Sequence, residues 1–119
     1  MTQMVEKKEI PAVTEHDMFQ IILDAELQLS SKGKRYWERI RIHPQKWIEK
    51  KFGKGCGGFW VVGILGNNII WYNELEDGFI ISEYESFGTI STYNSAEQKL
   101  SFLIEQIIRK FEGEFQYSK

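Results

Sequence analysis

The N-terminal part of the chain carries an apolar stripe whose members recur every three or four residues, as one face of an α-helix requires. The stripe consists of Met18, Ile21, Ile22, Ala25 and Leu29, and it is widened by Phe19, Leu23 and Leu27. Thr14, followed three residues later by Asp17, predicts a capping box at the helix start. We therefore predict a largely covered helix, preceded by a loose lead-in over residues 1–12.

This helix is predicted to end in the polar stretch of residues 30–34. Gly33 can adopt the left-handed conformation that often terminates helices. An alternative interpretation makes residues 25–31 a strand of a hairpin that turns at Gly33, but the spacing of the apolar residues favours the helix.

The middle of the chain is predicted to form a strand and then a short helix. Residues 35–42 alternate between apolar and basic positions, which predicts a half-buried strand with a basic outer face. Pro44 is tolerated in the first turn of a helix, and the apolar residues after it predict a short helix that ends at Gly53. The glycines of residues 53–58 predict a flexible connector.

The second half of the chain has the pattern of a meander. The predicted strands are residues 59–65, 69–72, 79–82 and 89–93, separated by turn signals at residues 66–68, at residues 74–78 and at Gly88. Asn94 or Ser95 can cap a final helix that ends at Gly113. Its predicted apolar face consists of Leu100, Leu103, Ile104, Ile107, Ile108 and Phe111.

Together these elements predict a single α+β domain over residues 13–113, followed by a tail over residues 114–119. Its sheet is about five-stranded, mostly antiparallel and connected as a meander, because the links between the later strands are too short for parallel crossovers. The N-terminal and C-terminal helices pack on one face of this sheet. The other face would be solvated, or would be an interface through which a homodimer is possible. The predicted core is Ile22, Ile40, Val61, Ile64, Ile70, Ile80, Leu103, Ile104 and Ile107.

Composition excludes several classes of protein. The chain has 119 residues, of which 42% are hydrophobic and 27% charged, so it is not disordered overall. Its single cysteine, Cys56, excludes an internal disulfide framework and a multi-cysteine zinc site. No apolar run is long enough to span a bilayer, and residues 1–11 lack the apolar stretch of a signal peptide. We therefore expect a cytoplasmic protein with no membrane partner.

The net charge of −2 conceals two blocks of opposite sign. Residues 32–54 contain nine lysines and arginines and two glutamates, whereas residues 67–97 contain six acidic residues and no lysine or arginine. Such blocks either steer partners or face each other in the fold and cancel.

Motifs that would indicate catalysis or a cofactor are weak. The glycines at 53, 55 and 58 match a dinucleotide fingerprint in letters, but they follow a predicted helix instead of a strand. Cys56 with His43 lacks an orienting third group, and His16 and His43 do not have the spacing of metal ligands. We therefore expect no cofactor, no metal and no catalytic residue.

Two further clusters permit rival interpretations. Glu74, Glu76 and Asp77 lie beside aromatic residues, as the carboxylates of a small hydrolase acting on sugars would. The basic segment 32–54, with Trp37 and Trp47, resembles a surface for single-stranded nucleic acid. The acidic second half argues against nucleic-acid binding, because it would repel a phosphate backbone.

The stretch Trp71-Tyr72-Asn73-Glu74-Leu75-Glu76-Asp77-Gly78-Phe79, with residues 59–66 and 36–42 upstream, resembles a group of small uncharacterised bacterial α+β proteins. The chain is also similar in character to immunity proteins that neutralise secreted bacterial toxins. This resemblance implies a non-enzymatic, antitoxin-like inhibitor that binds a basic protein such as a nuclease toxin. The resemblance carries over no binding residues. They are predicted from the acidic run and its interleaved aromatic residues, in which the aromatic side chains would anchor and the carboxylates steer a basic partner: Trp71, Tyr72, Glu74, Glu76, Asp77, Glu83 and Glu85.

Overall fold

The computed structural model describes residues 13–49, 58–91 and 97–117. The elements in chain order are α1 (Glu15–Glu26), α2 (Ser31–Ile40), β1 (Arg41–Trp47), β2 (Phe59–Leu65), β3 (Asn68–Asn73), β4 (Gly78–Glu83) and α3 (Leu100–Tyr117). The predicted lead-in, most of the glycine connector with Cys56, and the predicted caps Asn94 and Ser95 lie outside the described residues.

The four strands form one antiparallel sheet in the order β1-β2-β3-β4. This confirms the α+β class and the meander, with four strands among the described residues where about five were expected. Of the predicted strand at residues 89–93, Thr89 makes a single parallel bridge to Ile48, and residues 92 and 93 lie outside the described part. On the opposite edge of the sheet, Gln98 makes a single antiparallel bridge to Phe79.

Helix α1 begins as its sequence predicts. The Thr14 hydroxyl accepts a hydrogen bond from the Asp17 N–H at 3.0 Å, and the Thr14 N–H donates to the Asp17 carboxylate at 3.2 Å. These two bonds close the capping box. The bond from the Thr14 backbone N–H, with that from the Thr14 side chain, lowers the pKa of Asp17 below its usual value, so this carboxylate is ionised at neutral pH.

The prediction for residues 31–47 is wrong. Gly33 does not terminate a helix but lies inside α2, whose N-cap Ser30 accepts a hydrogen bond from the Gly33 N–H at 3.0 Å. The strand expected at residues 35–42 is mostly this helix, because Gly33, Trp37 and Ile40 form a buried helical face.

Strand β1 occupies part of the region where a short helix was expected, and it contains Pro44. Proline cannot donate a hydrogen bond to a neighbouring strand, so it is confined to edge strands and bulges. Both conditions hold within the described ranges: β1 is an edge strand that pairs with β2, and its register shifts between Arg41 and Gln45.

Helix α3 has the predicted apolar face but not the predicted ends. Its buried residues are Leu100, Leu103, Ile104, Ile107 and Ile108. It begins at Leu100 and passes through Gly113 to Tyr117, so Gly113 does not stop it. An interior glycine costs a helix only about 1 kcal/mol, which its neighbours can offset.

Both faces of the sheet are covered by the chain. Val62, Ile70 and Tyr72 point to one face and pack with the three helices. Val61 and Trp71 point to the other face and pack with Trp47 and Ile90, among others. The segment after β4 returns along this second face, where the Ile90 N–H donates to the Ile48 carbonyl at 2.8 Å. The expectation of a solvated second face, and of a homodimer through it, therefore loses its basis.

The predicted core is confirmed except at Ile64, which is partly exposed. Leu103→Ala should lower the free energy of unfolding by ~2–5 kcal/mol, because it leaves a cavity under α3. Phe102→Ala is the matched control, since the neighbouring Phe102 is 59% exposed. Chemical denaturation of the two variants measures the difference. Equal stabilities would contradict the packing of α3 described here.

Candidate protein interface

The two aromatic residues expected to bind a partner are part of the core. Trp71 is fully buried, and its Nε1 donates to the Ser82 hydroxyl at 3.0 Å. Tyr72 is 6% exposed and packs on the face that the helices cover. Neither ring is exposed enough to serve as a surface anchor for another protein.

The expected acidic residues fall into two groups at opposite ends of β4. Glu74, Glu76 and Asp77 lie in the turn before this strand, whereas Glu83 and Glu85 lie at its far end. A strand advances by about 3.4 Å per residue, so roughly 20 Å separates Asp77 from Glu83 along the backbone. The acidic block in the sequence does not form one continuous patch.

The turn between β3 and β4 is held by Asn73. Its buried side-chain oxygen accepts hydrogen bonds from the N–H groups of Leu75 at 3.0 Å and Glu76 at 3.3 Å. Its carbonyl accepts the Asp77 N–H at 2.7 Å. Asp77 has a φ of 58°, a left-handed conformation that aspartate tolerates better than most residues. The turn therefore fixes the position of the Asp77 side chain.

Glu74 acts as an internal tether. One carboxylate oxygen accepts the Val13 N–H at 3.2 Å, and the Val13 carbonyl accepts the Trp60 Nε1 at 2.7 Å. The other oxygen, Oε1, is buried without a hydrogen-bond partner among the described residues. Glu74 thus connects the turn to the chain before α1, whereas Glu76 and Asp77 are exposed.

Tyr72 and Asp77 form a hydrogen-bonded pair at the closed end of this hairpin. The Tyr72 hydroxyl donates to Oδ1 of Asp77. Burial raises the pKa of Tyr72 well above its usual value of 10.0, and the bond to Asp77 raises it further. The phenol is therefore a neutral hydrogen-bond donor throughout the physiological range.

A groove of about 370 Å³, here called the Asp77 groove, opens beside this pair. Tyr72, Asp77, Gly78 and Phe79 line one side of it. The remaining lining residues come from α1 and from the start of α3, namely Ile21, Ala25, Gln28 and residues 98–101. The sequence reasoning missed these contributions, because no local pattern indicates that α1 and the start of α3 meet at the hairpin.

An apolar stripe is exposed on the outer side of α1 and on its C-cap residue, Leu27. Phe19, Leu23 and Leu27 are 39%, 56% and 74% exposed. At 100° per residue they fall within an arc of about 80°. The sequence predicted that they would be covered, but α1 buries only Met18 and Ile22 completely. These three residues are called the α1 stripe below.

The α1 stripe continues into a second groove, of about 210 Å³, between α1 and α2. Leu23 and Leu27 line it on one side, and Lys34, Trp37 and Glu38 line it on the other. Trp37 forms its inner wall and donates from Nε1 to Glu26 at 2.8 Å.

The acidic residues of α1 lie on both sides of the stripe. This helix contains Glu15, Asp17, Asp24 and Glu26 and no lysine or arginine. On the side toward α2, Glu26 pairs with Arg41 at 2.7 Å and Glu15 with His43 at 2.7 Å.

On the other side of α1, Asp17 and Asp24 lie about 100–120° around the helix from Leu23, in the direction of the Asp77 groove. Both residues are exposed. We call them the α1 acidic band. The band separates the α1 stripe from the Asp77 groove.

The nucleic-acid interpretation gains little support from the structure. Trp37 and Trp47 are each 1% exposed, so neither can stack on a nucleotide base. Arg39 lies in α2 and Arg41 in β1, not on one strand face. Within the described ranges, no group of three or more histidine, cysteine, aspartate and glutamate side chains is placed to hold a metal ion. No helix in the same ranges is long and apolar enough to cross a membrane.

Comparison with protein-family models, with curated proteins and with solved structures finds no significant match to this chain.

Tyr72→Phe should destabilise the protein by about 1–3 kcal/mol, because it removes a donor to the Asp77 carboxylate. Its effect should depend on pH. Folding raises the pKa of Tyr72 above 10.0, so above that pH the folded chain keeps a proton that the unfolded chain loses. This contribution is complete below the unfolded pKa and is lost as pH rises through the folded pKa.

Urea unfolding of wild type and Tyr72→Phe at several pH values between about 9 and 11 measures this dependence. Wild type should lose stability more steeply than Tyr72→Phe over this range. Parallel slopes would show that the fold does not hold the Tyr72 proton.

Proposed function

We propose that the protein is a non-enzymatic protein-binding module, and that it acts as an antitoxin-like inhibitor of a basic protein such as a nuclease toxin. The observation that carries this proposal is the α1 stripe: three large apolar side chains exposed in line on one helix. Its binding surface comprises the α1 stripe, the α1 acidic band and the exposed part of the hairpin turn.

The stripe supports a binding role, because its three side chains are not part of either hydrophobic core cluster. Both sheet faces and the inner sides of the helices are covered without Phe19, Leu23 or Leu27. Scattered apolar residues are common on protein surfaces, but a continuous apolar patch rimmed by polar residues is typical of interaction sites.

The charges around the stripe favour a basic partner. Asp17, Asp24 and Glu76 are exposed, and they lie on the same side of the stripe as the Asp77 groove. Carboxylates at the rim of an apolar patch accelerate encounter with a positive surface and exclude acidic partners. A nuclease carries a positive surface where it binds phosphates, and an acidic surface can occupy it.

Replacing Leu23 and Leu27 together with serine should weaken partner binding by tenfold or more, because it removes two apolar side chains that the partner would bury. The fold should survive, since both residues are exposed. Ile48→Ser is the control, because Ile48 is 61% exposed and lies directly after β1. Each variant is used as bait in extracts of the source cell, and each captured protein is then purified and its affinity measured.

A basic protein that binds wild type and Ile48→Ser but not the double variant would support the proposal. Equal capture by all three proteins, or a captured partner that is acidic, would overturn it.

Neutralising Asp24 and Glu76 as Asp24→Asn and Glu76→Gln should slow association with that partner. The slowing should shrink as salt rises, because the field is screened over ~8–10 Å at moderate ionic strength. Glu83→Gln with Glu85→Gln removes the same charge from the far end of β4 and should have less effect. Stopped-flow association at two salt concentrations distinguishes the pairs, and a larger effect of the Glu83 and Glu85 pair would place the interface there instead.

A further inference from the structure

We propose that the Asp77 groove binds a lysine or arginine side chain of the protein partner. This inference rests on the proposed function, since it identifies the chemistry of one anchor on a basic partner. The groove combines a fixed carboxylate with apolar walls, and these match the two halves of a long cationic side chain.

The carboxylate is positioned before any ligand arrives. Its backbone is held by the bond from the Asp77 N–H to the Asn73 carbonyl at 2.7 Å, and its side chain by the Tyr72 hydroxyl. An ionised carboxylate accepts about four hydrogen bonds, so the bond from Tyr72 leaves room for a cationic donor. A group ordered in advance does not have to be ordered on binding, and this favours affinity.

The walls suit the methylene groups of such a side chain. Ile21 and Ala25 of α1 are partly exposed and face the groove from one side, and the almost fully buried Phe79 and Leu100 lie behind its lining. Lysine and arginine bury their methylene stems against apolar surface while the charged end finds a polar partner. A volume of about 370 Å³ accommodates one side chain of this length and lies at the small end of the range for ligand sites.

Lys99 at the edge of the groove opposes a cation and provides an internal test. It is exposed, and its Nζ lies 6.0 Å from the centre of the Phe102 ring. A groove built for an anion would depend on Lys99, whereas a groove built for a cation would bind more tightly without it. Lys99→Gln therefore separates the two ligand classes.

The probes are butylguanidinium and butylammonium, with butylurea as the neutral analogue and butyrate as the anion. Each is titrated into the full chain and followed by amide resonances in two-dimensional NMR. We expect both cations to shift the resonances of Ala25, Gln28 and Asp77 saturably, with a Kd on the order of 1 mM. Butylurea should bind at least about tenfold more weakly, because it lacks the charge that strengthens a hydrogen bond to a carboxylate.

Three substitutions show whether the cations bind in the Asp77 groove. Asp77→Asn should weaken binding of the cations about tenfold or more, and Lys99→Gln should strengthen it. Glu83→Gln, which removes a charge at the far end of β4, should leave it unchanged. If Asp77→Asn does not fold, the comparison of butylguanidinium with butylurea on the wild-type protein decides.

Butyrate binding that Lys99→Gln abolishes and Asp77→Asn leaves intact would overturn the proposal in favour of an anion site. Absence of any saturable shift with the cations would overturn it as well. Neither result would contradict the proposed role of the α1 stripe as a binding surface. That role is tested separately, by the loss of partner binding in the Leu23 and Leu27 double variant.

Discussion

The fold depends on burying β3 on both of its faces. Ile69 and Trp71 point to one side of the sheet and Ile70 and Tyr72 to the other, and all four are buried. Because β3 carries apolar side chains on both sides, neither face of the sheet can be left exposed to water. The chain must therefore cover both faces. The three helices form the first layer, and the segment after β4 returns across the other side. Exposed surface for a partner is left to the outer sides of the helices and the ends of the strands.

This constraint explains where the sequence was informative. From residue 59 to the end of β4, apolar runs alternate with strong turn signals, and the predicted strands match the observed ones closely. Residues 31–42 were ambiguous, because Tyr36, Ile40 and Ile42 fit a strand while Gly33, Trp37 and Ile40 fit a helix. The Ser30 cap and the packing of Trp37 select the helix, and only the second of these depends on the rest of the fold.

The candidate site was harder to predict than the fold, for a different reason. Residues that adjoin in the sequence are separated by the hairpin, which places Glu83 a strand length away from Asp77. Aromatic residues beside acidic ones suggested a surface, but the period of the strand buries Trp71. The Asp77 groove joins α1, a turn and the start of α3, and nothing in their local sequences indicates that they meet. Only Asp77 and Tyr72 among its residues were identified in advance, and Tyr72 contributes its hydroxyl instead of its ring.

Helix α1 combines exposed apolar residues with a high density of negative charge. This helix is apolar on its inner side, through Met18 and Ile22, and also on its outer side, through Phe19, Leu23 and Leu27. Such a helix would tend to self-associate, and a high density of like charge opposes that tendency. The four carboxylates of α1 provide this charge, and two of them are paired with Arg41 and His43 within the chain. Among the described residues, Asp17 and Asp24 form hydrogen bonds but no ion pair, so their charge repels another copy and attracts a positive surface. Under the proposed function, the same carboxylates that oppose self-association of the stripe would favour a basic partner, because such a partner offsets their charge when the stripe is buried.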